Sequence, residues 1–247
     1  MVTSVQPSFA AGEISPALYG RIDVSKYAVA MRTARNALVY ATGGLSNRPG
    51  TQYVGPVKSH TDTVRLIPFE ASSDDTYVLE FGNLYMRPIR NGGHILETGK
   101  NITGATQANP VVITASSHGF ENGDEVRITE VVGMTQLNQN RYVVANKTTN
   151  TFELTDQVTG ANVDGSAFTA YSSAGKAERV LTVTTPWTAA SLAQLKFAQS
   201  GDVLTLTHPS YDPRELSRTA HTTWTLTIPT FEPAITFPTG LSATPAN

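Results

Sequence analysis

Residues 63–90 read TVRLIPFEASSDDTYVLEFGNLYMRPIR. Apolar and polar residues alternate in TVRLIPFE and again in TYVLEFG, a period of two that fits a half-buried strand. Ser72-Ser73-Asp74-Asp75 separates the two runs with turn-forming residues. A second pair, NLYMRPIR and HILETG, flanks Asn91-Gly92-Gly93, and Asn-Gly is a strong hairpin signal. Pro68 and Pro88 cannot donate to a ladder, which places their strands at sheet edges or at bulges. This stretch sets the fold class: mainly β, with antiparallel sheets.

Residues 103–177 continue the pattern as an inserted small β module, a barrel or sandwich. Its strand candidates are PVVITA, DEVRITEVV, RYVVANKT and TFELT, separated by SHGFENG and GMTQLNQN, both rich in turn residues. The tail of this segment returns towards its start, as an insertion requires. The main β domain is then residues 56–102 plus 178–235. Its second half holds AERVLTVTTPW, DVLTLTH and TTWTLTIPTFEP as strands. TAASLAQLKFAQSG reads as a short helix with Leu192, Leu195 and Phe197 on one face. Residues 236–247 are rich in Pro, Thr and Ala and read as a linker or the start of a further module.

In the other direction, residues 1–55 form an arm and a short helix. Pro7, Gly12, Pro16 and Gly20 keep residues 1–22 extended. Asp23 is placed as an N-cap. Val24, Tyr27, Ala28, Met31, Ala34 and Leu38 recur at three- and four-residue steps, which predicts a helix that Gly43-Gly44 stop.

The composition narrows the function. The 247-residue chain has no cysteine, so thiolate catalysis, disulfides and cysteine metal sites are excluded. Its net charge of -2 gives no general grip on nucleic acid. Only 15% of residues are charged, which suits large interfaces depleted of charge at their centre. The start lacks a basic segment followed by an apolar run, so no signal peptide is expected, and no window is long and apolar enough to span a membrane. His60, His94, His118, His208 and His221 form no HxxxH pair, and GxSxG, GxxxxGK[ST] and GxGxxG are absent. Glu121, Asp124 and Glu125 lack the spacing of a calcium loop and read as a plain turn. His208, Pro209, Tyr211, Pro213 and Arg214 read as a rigid turn anchored by Tyr211. No catalytic residue, metal or cofactor is expected.

The arm and its surroundings resemble the start of tail nozzle, or tail tubular (phage stabilisation), proteins of short-tailed bacteriophages. The matching residues are Phe9, Gly12-Glu13-Ile14-Ser15-Pro16, Leu18-Tyr19-Gly20-Arg21, Asp23, Tyr27, Arg35-Asn36, Gly44 and Arg48-Pro49-Gly50-Thr51. LEFGNLYMRPIRNGG, LKFAQSGDVLTLTHPSYDPRELSR and HTTWTLT are similar to later segments of the same family, in the same order. Residues 103–177 resemble the small β domain named after the first catalytic cysteine half-domain of ubiquitin-activating enzymes; without cysteine, no thioester chemistry is implied.

The nozzle resemblance implies a structural virion protein of the tail, made in the bacterial host cytoplasm. It implies a homo-oligomeric ring, expected as a hexamer, below the portal-adaptor. It also implies contacts with other tail proteins and with tail fibres, and transient passage of viral DNA without specific binding. Family members are usually longer, so the chain is expected to be the front of something larger. The assembly contacts expected from the resemblance are Phe9, Glu13, Tyr19, Arg21, Tyr27, Arg35, Asn36, Arg48 and Pro49. The alternative is a receptor- or glycan-binding tail adhesin using Trp187 and Trp224. A third reading, a virion hydrolase, would need a carboxylate pair involving Glu80 or Asp202.

Overall fold

The computed structural model describes residues 5–230. They form two units, divided after Tyr53. The linker expected at 236–247 lies outside the described residues.

In the first unit, β1 (Gly12–Glu13) pairs in parallel with β2 (Ala30–Met31). β3 (Ala37–Val39) and β4 (Leu45–Asn47) make an antiparallel hairpin. The helix expected from Asp23 to Gly43 is not formed. Its place is taken by a single 3-10 turn at Tyr27–Val29, followed directly by β2 and β3. The physical reason is a lack of anything to pack on. A helix of this length draws most of its stability from a buried face, and no side chain between residues 5 and 53 is buried. The three-residue steps are used locally instead, with Val24, Tyr27 and Val29 each donating to the carbonyl three residues back. Asn36, at φ 52, turns the chain into the hairpin. Asp23 does not cap a helix; it pairs with Arg21.

The second unit begins with β5 (Arg65–Glu70), β6 (Thr76–Gly82), β7 (Tyr85–Arg90) and β8 (Gly93–His94), all antiparallel. β9 (Lys100–Asn101) then opens a seven-stranded sheet. Its other members are β10 (Gly104–Ala105), β11 (Val112–Thr114), β12 (Glu125–Thr129), β13 (Arg141–Ala145), β14 (Thr151–Asp156) and β15 (Lys176–Arg179). The order is β10-β11-β14-β13-β12-β15-β9. β9 and β15 pair side by side, so the chain enters and leaves this sheet at one place.

β16 (Val183–Thr184) returns to pair with β7. A 3-10 turn at Ala189–Gln194 leads into a meander of β17 (Lys196–Ser200), β18 (Val203–His208), β19 (Tyr211–Ala220) and β20 (Thr223–Thr227). The helix expected over 188–201 is thus one 3-10 turn and a strand. Leu192 and Leu195 are buried, but Phe197 points outwards in β17, where ladder pairing with β18 has replaced the helical period.

Two separate cores result. Ile67, Phe69, Tyr77, Leu79 and Phe81 from β5 and β6 pack with Trp187, Leu204, Leu216 and Trp224. Val111, Ile113, Ile128, Phe152 and Leu154 build the core of the seven-stranded sheet. Each fully buried side chain of this size contributes roughly 1.5–3 kcal/mol. Pro68 lies on β5, an edge strand. Pro88 lies on an inner strand, at the point where β7 changes partner from β16 to β8, so its missing N–H leaves no ladder bond broken.

Candidate functional site

Alternation on β6 and β7 puts Glu80 and Arg87 opposite each other, on the face away from the Trp187 core. Such a face is normally wet. Here Glu80 is 2% exposed and Arg87 is fully buried. Glu80 finds its partners on β7 and β8, and Arg87 finds its counter-charge on the seven-stranded sheet.

Arg87 lies 2.8 Å from Glu125 of β12, as a charge contact across the junction. None of the three guanidinium nitrogens of Arg87, the one facing Glu125 included, has a hydrogen-bond partner of good geometry among the described residues, and the group lies 5.3 Å from the centre of the Tyr85 ring. Glu125 also accepts from Arg141 at 3.3 Å and from Gln157 at 2.7 Å. Tyr85 donates its hydroxyl to Glu80 at 2.7 Å. His94 contacts Glu80 through Nε2 at 3.3 Å and Arg141 through Nδ1 at 2.7 Å. Burial alone would push the Glu80 carboxyl up. The hydrogen bonds from His94 and Tyr85, with the charge of Arg87, outweigh burial and hold it below its ordinary value. Burial, reinforced by Glu80, pushes the Tyr85 hydroxyl well up, so it stays a donor.

A second contact lies nearby. Arg179 donates to Glu97 through Nε at 3.0 Å and NH2 at 2.6 Å, and to Asp124 at 3.1 Å. Glu97 raises the Arg179 pKa most, ahead of Asp124. Beside it, a cavity of about 410 Å³ is lined by Glu97, Lys100, His118, Phe120, Arg179 and Thr222.

The side chains singled out as assembly contacts all lie in the first unit, none of them buried. Glu13 accepts from the Ala34 N–H at 2.8 Å, and Tyr19 donates to the Arg32 carbonyl at 3.0 Å. The Phe9 N–H bonds the Gly43 carbonyl, and the Arg48 N–H bonds the Asn36 carbonyl. Arg21 is engaged with Asp23, while Arg35 and Pro49 are exposed. Tyr19 and Tyr27 line a hollow of about 470 Å³ with Gln6, Ile14, Met31 and Arg32.

His208 ends β18 and accepts from the Ser210 N–H at 3.0 Å, with its ring edge-on to Tyr211 at 4.9 Å. Pro209 lies in the turn that follows, Pro213 and Arg214 continue into β19, and Tyr211 packs against the main core. Trp187 and Trp224 are both core residues. Asp202 pairs with Arg218 at 2.9 Å, in the four-stranded sheet rather than beside Glu80. Glu121, Asp124 and Glu125 each face a different cation: Lys147, Arg179 and Arg87. Among the described residues, no cluster of three or more His, Asp or Glu is placed to hold a metal. No described helix is long and apolar enough to cross a membrane.

Residues 108–180 match the sequence profile of the ubiquitin-activating enzyme E1 FCCH domain. The match falls on the seven-stranded sheet, in agreement with the resemblance noted for 103–177. No curated protein matches the chain. Among solved structures, the chain is similar to one titled Phage phi92 endosialidase, with 16% identity and a TM-score of 0.24. That similarity covers 67% of this chain and 30% of the other.

The sequence did not single out the ionic junction. Its one legible trace is the Glu80–Arg87 pairing, which follows once the hairpin register is fixed.

Proposed function

We propose that this chain is a structural component of a bacteriophage tail, of the nozzle or tubular type. It docks through residues 1–55 into a ring of identical subunits below the portal-adaptor and forms part of the DNA ejection conduit. The ordered motifs of residues 6–55, 79–93 and 195–227 support the tail assignment. One structural observation carries the docking role. Residues 5–53 have strands, turns and a defined hydrogen-bond network, yet bury no side chain. Two-stranded sheets are at best marginal alone. Ile22, Tyr53, Tyr40, Leu38 and Leu45 are left exposed. A segment so built reaches a stable state by burying that surface on a partner.

The partner is a second copy, because head-to-tail contacts that close give rings. The inserted module acts as a spacer or interaction domain, held by the ionic junction. Neighbouring tail proteins and fibres meet the outside of the ring. A wall that does not neutralise phosphates lets DNA slide, consistent with a net charge near zero.

Electron microscopy of virions labelled with an antibody to this chain tests the reading. Label on a symmetric ring around the tail channel is expected. Label on peripheral fibres, with no density from this chain in the channel wall, replaces it with the adhesin.

A further inference from the structure

His94 sits between two groups with opposite demands. On one side is Arg141 of β13, whose guanidinium can only donate. Nδ1 must therefore accept, and the single ring proton lies on Nε2, where it is donated to Glu80. Neutral His94 in this tautomer satisfies both neighbours. A second proton has only Nδ1 to go to, and there it would meet the N–H of Arg141, cation against cation. Arg141 has another acceptor within reach, Glu125 at 3.3 Å.

Glu80 comes from β6, His94 from β8, and Arg141 and Glu125 from the module strands β13 and β12. The His94–Arg141 bond therefore crosses the junction between the main β domain and the module. We propose that His94 is a proton-controlled latch: neutral, it holds the module against the main domain through Arg141; protonated, it lets go of Arg141 and frees the module to move.

The other groups facing His94 determine which bond breaks. Glu80, held ionised by Tyr85, Arg87 and His94 itself, stays with protonated His94, so the ring remains on the main domain. Lys58, over the Tyr85 ring at 5.6 Å, and Arg87 add positive charge on that side. Both favour departure of Arg141. The Arg87–Glu125 and Arg179–Glu97–Asp124 contacts remain. Opening is therefore a widened range of module orientations and not unfolding. Gly55 closes the pair from outside: a Cβ built there would lie 2.7 Å from the Arg141 guanidinium and 3.4 Å from the His94 ring.

The chain has no cysteine, so two spin labels can be placed without background. Ser73→Cys in the main domain and Thr149→Cys in the module are both exposed sites. Label-to-label distances are measured on the full chain at about pH 8 and about pH 5, the range in which histidine changes charge. A single narrow distribution at the higher pH and added longer distances at the lower are expected. In His94→Gln, whose amide can accept from Arg141 and donate to Glu80 but takes no proton, the distribution should stay narrow at both. A narrow distribution for the unsubstituted junction at both pH values overturns the proposal. So does equal broadening in His94→Gln, because another group would then be the trigger.

Discussion

Arg87 has no exposed surface, and its charge is answered by Glu125 from another sheet. Arg87→Met leaves Glu125 with Arg141 and Gln157 only. Removing one member of a buried pair typically costs about 3–5 kcal/mol. We expect a loss in that range in chemical denaturation, and a smaller one for Arg87→Met with Glu125→Leu, since no charge is then stranded. A loss as large in the double variant as in Arg87→Met would show that leaving Glu125 without Arg87 carries no penalty. Glu80 tests the same network through pH. Its carboxyl is held below the ordinary value, so its contribution is full above the unfolded-state pKa of about 4.3 and fades as pH falls through the lower folded value. Glu80→Gln should therefore destabilise by roughly 1–3 kcal/mol near neutrality. The difference from wild type should shrink as the solution is made more acidic than the unfolded-state pKa. A difference independent of pH would mean that the charge of Glu80 is not what matters.

At the scale of elements, the β6–β7 hairpin links the core to the junction. The Tyr85 ring lies where a Cβ on Gly82 would be, so only glycine lets the ring cross the strand and reach Glu80. Gly82→Ala should displace the ring and lower stability by about 1–3 kcal/mol. An unchanged melting temperature would refute that packing. The hairpins themselves were legible, because a period of two and Asn-Gly are local signals. The helix expected from Val24 to Leu38 failed for a non-local reason: its apolar steps were real, but none of these side chains is buried among the described residues. The burial of Glu80 and Arg87 was hidden for the converse reason. Polar residues on the outer face of a hairpin look solvated until a strand far along the chain, here β12 with Glu125, covers them. Both tryptophans belong to the main core, so they report on it alone. Deleting 103–177 with a short glycine bridge should keep their near-ultraviolet signal and cooperative melting. Loss of both would mean that the main domain depends on the module for its fold.

The whole molecule divides into parts that contain their own core and a part that does not. Residues 67–226 hold two packed cores, whereas residues 5–53 hold none. The first unit also carries Arg21, Lys26, Arg32, Arg35 and Arg48 against Glu13 and Asp23, while the chain as a whole has a net charge of -2. The remainder is therefore acidic, and in the proposed ring a basic segment of one copy would meet an acidic neighbour, a complementarity that favours one partner over others. The order of motifs was legible in the sequence; the lack of any buried side chain in residues 5–53 was not, since burial depends on what lies alongside. Hydrogen exchange of residues 5–53, in the isolated chain and in assembled particles, tests this most directly. Rapid exchange is expected in the isolated chain and strong protection in the particle, with the cores of the second unit protected in both. Equal protection of residues 5–53 in the two states, or none in either, would contradict it.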